Sequence, residues 1–137
     1  MEEIKTKSMH PDIRKLLCFA TSVEKVEEEY DLYIHSTERK LYGFTSGDEL
    51  VGCIGVEFLN EGECEIKHIA VMPKHQGKGI GYKMIDHIVH CTRITAETDQ
   101  DAVLFYKILG FDITSLGEKY PGVERFRCVL DRLRSNC

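Results

Sequence analysis

Apolar residues change their spacing several times along the chain, and each change predicts an element. Residues 3–7 carry a weak strand pattern. Over residues 10–21, Ile13, Leu16, Leu17 and Ala20 recur at helical spacing, and Pro11 suits a first turn. Residues 23–38 repeat that spacing, with Val26, Tyr30 and Tyr33 on one face and acids between. Residues 40–46 alternate instead, Leu41 and Gly43 against Tyr42 and Phe44, and run into the turn residues Ser46-Gly47-Asp48. Leu50 to Leu59 and residues 63–72 read as two more strands, separated by Asn60-Glu61-Gly62 and closed by Pro73. Three strands on short turns predict an antiparallel meander.

Helical spacing returns at Ile80, Met84, Ile85, Ile88 and Val89, in a run read as a helix over Tyr82 to Cys91. Arg93 to Glu97 reads as a short strand. Ala102, Phe105, Tyr106 and Leu109 then share one face of a helix that stops at Gly110. Phe111 to Ser115 and Glu124 to Val129 are two final strands around Tyr120-Pro121-Gly122. Strands alternating with helices in this half predict a partly parallel sheet with crossover helices. The expectation is one mixed α/β domain over residues 1–137.

Composition narrows the function classes. Hydrophobic residues make up 42% and charged residues 30% of the 137, a globular balance. The net charge of −5 argues against nucleic acid, whose phosphates are held by Lys and Arg. The six cysteines, at 18, 53, 64, 91, 128 and 137, form no Cys-x-x-Cys pair and no zinc-finger spacing with histidine. Most sit in apolar runs as small reduced hydrophobes. No apolar run approaches a membrane span, and the first residues lack a signal-peptide core. These features predict a reduced, cytoplasmic protein without membrane or metal. His87 and His90 lie three apart on a helix, but no third ligand has suitable spacing, so no metal site is expected.

The chemistry concentrates in Gln76-Gly77-Lys78-Gly79-Ile80-Gly81, between a predicted strand and a predicted helix. Bare amides at a helix start attract an anion, most often phosphate. Without a ligand, three glycines would each weaken the first turn by ~1 kcal/mol relative to alanine. A P-loop is excluded, because Gly79 follows Lys78 where Ser or Thr belongs and Met72 stands where its first glycine belongs. The dinucleotide fingerprint is excluded by Tyr82 in place of its third glycine. Gln76, Gly79 and Gly81 fit Gln/Arg-x-x-Gly-x-Gly/Ala. Ile69-Ala70-Val71-Met72-Pro73 precedes it as an apolar-Ala-Val-x-Pro strand end. Asp99 to Phe111 follows as Asp-x-x-Ala-x-x-Phe-Tyr-x-x-x-Gly-Phe. In these segments the chain resembles the GNAT N-acetyltransferase superfamily, with Asp99 where the family usually has Asn. The resemblance covers residues 63 to 116; before them only the layout is similar.

The resemblance implies a centrally splayed sheet flanked by helices, and acetyl-CoA as co-substrate. Its pyrophosphate would rest on the amides of Gln76, Gly77, Lys78, Gly79, Ile80, Gly81 and Tyr82. Its pantetheine arm would run along Ile69, Ala70 and Val71, with Asp99 and Tyr106 also in the cofactor site. An amide near Val71 would polarise the thioester carbonyl. The implied reaction is direct attack by a primary amine, on a small molecule or a protein, in a ternary complex. Tyr106 would be the acid beside the sulfur and Glu65 the base, the latter eleven positions before Gln76 as in histone-type members. Glu97, Glu57 and His68 are rival bases; if strand alternation is unbroken, Glu65 and Lys67 face opposite to Ile66 and His68. His90 immediately precedes Cys91 and no histidine adjoins Cys64, but the direct transfer that the resemblance implies gives neither thiol a nucleophilic role. Glu27, Glu28 and Glu29 read as a solvated face that could also attract a cationic acceptor. A homodimer is compatible with the reading. The alternative function is a non-catalytic acyl-CoA sensor on the same fold, which would need Gln76 to Gly81 but not Tyr106.

Overall fold

A computed structural model describes residues 1–88 and 91–132. The elements are β1 (Glu2–Glu3), α1 (Pro11–Ala20), α2 (Val26–His35), β2 (Arg39–Ser46), β3 (Glu49–Asn60), β4 (Glu63–Val71), α3 (Ile80–Asp86), β5 (Arg93–Asp99), α4 (Val103–Ile108), β6 (Asp112–Tyr120) and β7 (Val123–Asp131). The strands form one seven-stranded sheet in the order β1-β2-β3-β4-β5-β7-β6. The β1–β2, β2–β3, β5–β7 and β6–β7 pairs are antiparallel, and β4–β5 is parallel. The mixed sheet with flanking helices is therefore the fold expected from the pattern of apolar residues. Two compact units divide it, with β4 passing from one to the other: Leu59–Ile66 belong to the second unit and Lys67 onward to the first.

The first unit holds β1, α1, α2, β2, nearly all of β3, the C-terminal half of β4, and α3. Its core is Ile13, Leu16 and Leu17 from α1, Val26, Tyr30 and Tyr33 from α2, Leu41 and Cys53 from the strands, and Ala70 and Met72. Burying a leucine- or isoleucine-sized side chain contributes roughly 1.5–3 kcal/mol, so the apolar stripes of α1 and α2 fix these helices to the sheet. His10 caps α1, its Nδ1 accepting from the Asp12 amide at 3.0 Å. The Tyr30 hydroxyl donates to the Thr6 carbonyl at 2.6 Å, holding the chain that follows β1.

The second unit holds the start of β4 with β5, α4, β6 and β7. Cys64, Ile66, Cys91, Ile94, Ala96, Tyr106, Phe111 and Cys128 are buried in it. Its β4–β5 ladder runs from Glu63↔Arg93 to Ile66↔Ala96.

Some boundaries differ from the sequence pattern. The first strand is only Glu2–Glu3, since too few apolar residues support it. Helix α2 spans Val26–His35, preceded by a 3-10 turn over Val23–Lys25, and the chain is extended at Ser36. Helix α3 begins at Ile80 rather than Tyr82, because left-handed Gly79 caps it directly, and it ends by Asp86. Strands β6 and β7 are longer than expected, joined at the Pro121-Gly122 turn. His87 packs edge-on to Phe44, with ring centroids 6.4 Å apart; His90 lies outside the described residues. Among the described residues, no helix is long and apolar enough to cross a membrane.

Candidate active site

The glycine loop forms as β4 runs out. Met72 still donates its amide to the Val51 carbonyl at 2.8 Å, and Pro73–His75 make one 3-10 turn. Gly77 and Gly79 then take φ of 80° and 78°. A residue with a Cβ is penalised there by roughly 1–2 kcal/mol, so the two glycines are required by the path of the chain. Nothing lies within 4 Å of where either Cβ would be, so the loop is open on that side. Behind the loop, Ile80, Gly81, Met84 and Ile85 are buried and anchor α3. Met84 packs over Gly52, where a Cβ would come within 3.1 Å of its sulfur.

The exposed side of the loop is basic in an otherwise acidic chain. Lys74 and His75 lie 3.0 and 3.4 Å from the Glu49 carboxylate. Lys78 and Lys83 are exposed and carry no ion pair with another described residue. Open left-handed glycines flanked by uncommitted cations fit a diphosphate. Gln76 has a role the motif alone did not reveal: its side-chain Nε2 donates to the Val71 carbonyl at 3.1 Å and clips the loop to the strand end. Ile69, Ala70 and Val71 thus share one unit with Gln76, Gly77, Lys78, Gly79, Ile80, Gly81 and Tyr82, whose side chain is exposed.

Exposure alternates without a break from Glu63 to Val71. His68 is accordingly buried, and Glu65 and Lys67 are half-buried on the opposite parity. The Tyr33 hydroxyl and His68 Nδ1 are 2.5 Å apart. His68 Nε2 lies 3.9 Å from the Glu29 carboxylate. Burial pushes the His68 pKa down, with Glu29 opposing, and pushes the Tyr33 phenol up. Sequence reasoning missed this contact. Its signal was Gly55, a glycine inside a strand, which often marks a close approach; a Cβ there would stand 2.0 Å from the Tyr33 hydroxyl.

Glu65, Asp99 and Tyr106 belong to the second unit. Glu65 sits opposite Thr95 in the β4–β5 ladder. One Asp99 carboxylate oxygen accepts from the amides of Asp101 and Ala102 at 3.0 and 3.2 Å, shaping the turn into α4. Tyr106 is 5% exposed and packs edge-on against Phe105 and Phe111. The hydroxyls of Tyr30 and Tyr33 have partners, whereas that of Tyr106 makes no hydrogen bond to another described residue. Burial raises its pKa, so it keeps its proton. Among the rival bases, Glu97 is held by Lys119 at 3.0 Å and Arg125 at 3.4 Å, which lower its pKa. Glu57 lies 3.4 Å from Lys67 and 3.8 Å from Arg39. Burial raises the Cys64 pKa, the reverse of what a nucleophilic thiol needs.

A model of the acetyltransferase (GNAT) family matches residues 10–111. The chain belongs to that family. Over 63 residues it is 35% identical to an uncharacterised N-acetyltransferase from the lysA 3′ region of Bacillus methanolicus, covering 46% of this chain and 52% of that one. Over 87 residues it is 33% identical to the N-alpha-acetyltransferase RimI of Mycobacterium tuberculosis, covering 57% and 55%. The matches thus span about half the length of these curated relatives. Among solved structures, a GNAT-family acetyltransferase from Desulfovibrio desulfuricans superposes with a TM-score of 0.77 at 19% identity, over 96% of this chain and 97% of the other. A GNAT acetyltransferase from Elizabethkingia anophelis, solved with acetyl-CoA bound, gives 0.70 at 21% identity over 95% of each chain. At such identities these structures share the GNAT fold.

Proposed function

We propose that this GNAT chain transfers an acetyl group from acetyl-CoA to a primary amine. The observation that carries the reading is the run of β4 into the glycine loop. The strand runs to Val71 and leads through one 3-10 turn into left-handed Gly77 and Gly79, all within the first unit. The loop amides from Gln76 to Tyr82, with Lys78 and Lys83, would hold the pyrophosphate. Backbone groups of Ile69, Ala70 and Val71 would pair with the pantetheine arm, and an amide near Val71 would polarise the carbonyl. Bound in this way, the coenzyme supplies an activated acyl carbon.

The side chains handle protons. An alkylammonium with a pKa near ~10.4 must lose one proton before attack and a second as the amide forms. Glu65 is assigned the second. Tyr106 is assigned the departing sulfur. Because burial raises its pKa, Tyr106 supports the thiolate as a hydrogen-bond donor more than by complete proton transfer. The acceptor is a small-molecule amine or, as the name of the mycobacterial relative suggests, a peptide N-terminus.

A thiol-release assay with acetyl-CoA against simple amines, polyamines and peptide N-termini tests this. Turnover with at least one class is expected. Tight coenzyme A binding with no turnover anywhere would replace the enzyme with an acyl-CoA sensor.

A further inference from the structure

In the first unit, a polar cluster joins α2 to three strands. Glu29 and Tyr33 are one helical turn apart on α2 and so share a face. Tyr33 and His68 are 4% and 7% exposed. Glu29 is half-buried, 3.4 Å from Arg39 on β2. Glu57 on β3 and Lys67 on β4 complete the charged groups, and the Cys53 thiol lies nearby in the core. Two acids and two bases leave the cluster neutral overall. Glu27 pairs instead with Arg14.

The tautomer of His68 follows from its neighbours. Nε2 faces a carboxylate, which favours a proton on that nitrogen. Nδ1 is then the bare acceptor for the Tyr33 hydroxyl, whose raised pKa keeps it a donor. Tyr33 thereby fixes the ring so that Nε2–H points toward Glu29. The strand gives up a side chain at Gly55 to admit the hydroxyl. The imidazole stands behind the carboxylate with Nε2 at 3.9 Å, beyond a direct hydrogen bond, while Arg39 Nη1 donates to the same Glu29 oxygen at 3.4 Å. His68 immediately precedes Ile69 to Val71, the stretch assigned to the pantetheine arm. At about 3.3 Å per residue, it lies ~10 Å along the strand from Val71.

We propose that Glu29, positioned by His68 and Tyr33, accepts the first proton lost by the acceptor ammonium. The inference rests on the acetyl-transfer reading above. In the balanced reaction, R–NH₃⁺ gives one proton to the Glu29 carboxylate and keeps the electron pair. The amine nitrogen bonds to the acyl carbon and the C–S bond breaks. The second nitrogen proton goes to the departing thiolate, giving the thiol. The proton on Glu29 leaves to water and is the one net proton released. His68 and Tyr33 are positioning residues, and only Glu29 meets the substrate.

Two measurements test the proposal. Nitrogen-15 spectra of the histidine rings in the full chain should show His68 as the Nε2–H tautomer at neutral pH, and Tyr33→Phe should disturb that tautomer. A wild-type His68 in the Nδ1–H form would overturn the assignment. In the thiol-release assay, Glu29→Gln should lower kcat/KM tenfold or more at neutral pH and regain activity as pH approaches the pKa of the amine. Glu29→Asp should be intermediate, and coenzyme A affinity should be unchanged in both as the control for folding. A Glu29→Gln enzyme with the wild-type rate and pH profile would overturn this inference and leave acetyl transfer standing. A wild type without turnover on any amine would overturn both.

Discussion

The side-chain amide of Gln76 donates to the carbonyl of Val71, tying the first residue of the glycine loop to the last residue of β4. The bond is exposed, so its net worth is about 1 kcal/mol. It spans the junction where the strand assigned to the pantetheine meets the loop assigned to the phosphates. Gln76→Ala should therefore loosen the loop without unfolding the helix behind it, which buried Ile80, Met84 and Ile85 anchor. Coenzyme A affinity should fall about fivefold, as one such bond predicts, with the melting temperature nearly unchanged. Calorimetric titration measures the first and thermal denaturation the second. An unaltered Kd would remove the clip from the binding site.

Gly55 makes the opposite kind of prediction, a folding effect before a binding one. A methyl group there would stand 2.0 Å from the Tyr33 oxygen, and Tyr33 belongs to the core of α1, α2 and the strands. Gly55→Ala should cost about 1–3 kcal/mol, the usual range for overpacking, and should break the Tyr33–His68 bond as α2 shifts. Denaturant melts give the stability change, and the His68 ring signals report the bond. A variant as stable as the wild type with the same histidine spectrum would contradict the packing described.

These two residues also mark how far the sequence could be read. The glycine loop was legible because its chemistry is local: consecutive glycines, a proline closing the strand, and a helical pattern directly after. The parity of β4 was legible too, since strict alternation placed His68 opposite Glu65 and Lys67. The Tyr33–His68 contact joins residues thirty-five positions apart, and no local pattern encodes such a pairing. Gly55 hinted at it only as a missing side chain. Asp99 shows a further limit, because its match to a motif position did not reveal that its carboxylate binds the amides of its own turn.

The buried histidine carries a pH signature. Its folded pKa lies below the ordinary value near 6.5, so the unfolded chain takes up a proton that the folded chain resists. Stability from this site is complete above about pH 6.5 and declines as pH falls through the lowered folded value. Glu97, whose pKa is also depressed, loses its contribution only below the ordinary carboxylate value near 4.5, a separate window. Melting temperature should thus begin to fall below about pH 6.5 in the wild type and fall less steeply in His68→Gln. Parallel curves for the two proteins would show that His68 is not held neutral.

Tyr106 supplies the last test. Its ring is fixed by Phe105 and Phe111, while its hydroxyl makes no hydrogen bond to another described residue. A buried tyrosine kept only for packing loses little when it becomes phenylalanine, and here no partner would be stranded. Tyr106→Phe should accordingly leave stability and coenzyme A affinity near wild type. If the hydroxyl donates to the departing sulfur, kcat should fall tenfold or more, the low end of what acid–base groups contribute. Because the raised pKa keeps the phenol protonated through neutral pH, the loss should be uniform across pH 6–9 instead of tracking a titration. A thioester with a more acidic thiol leaves more easily and should narrow the gap between variant and wild type. Full turnover by Tyr106→Phe on every acceptor would confine this residue to the core.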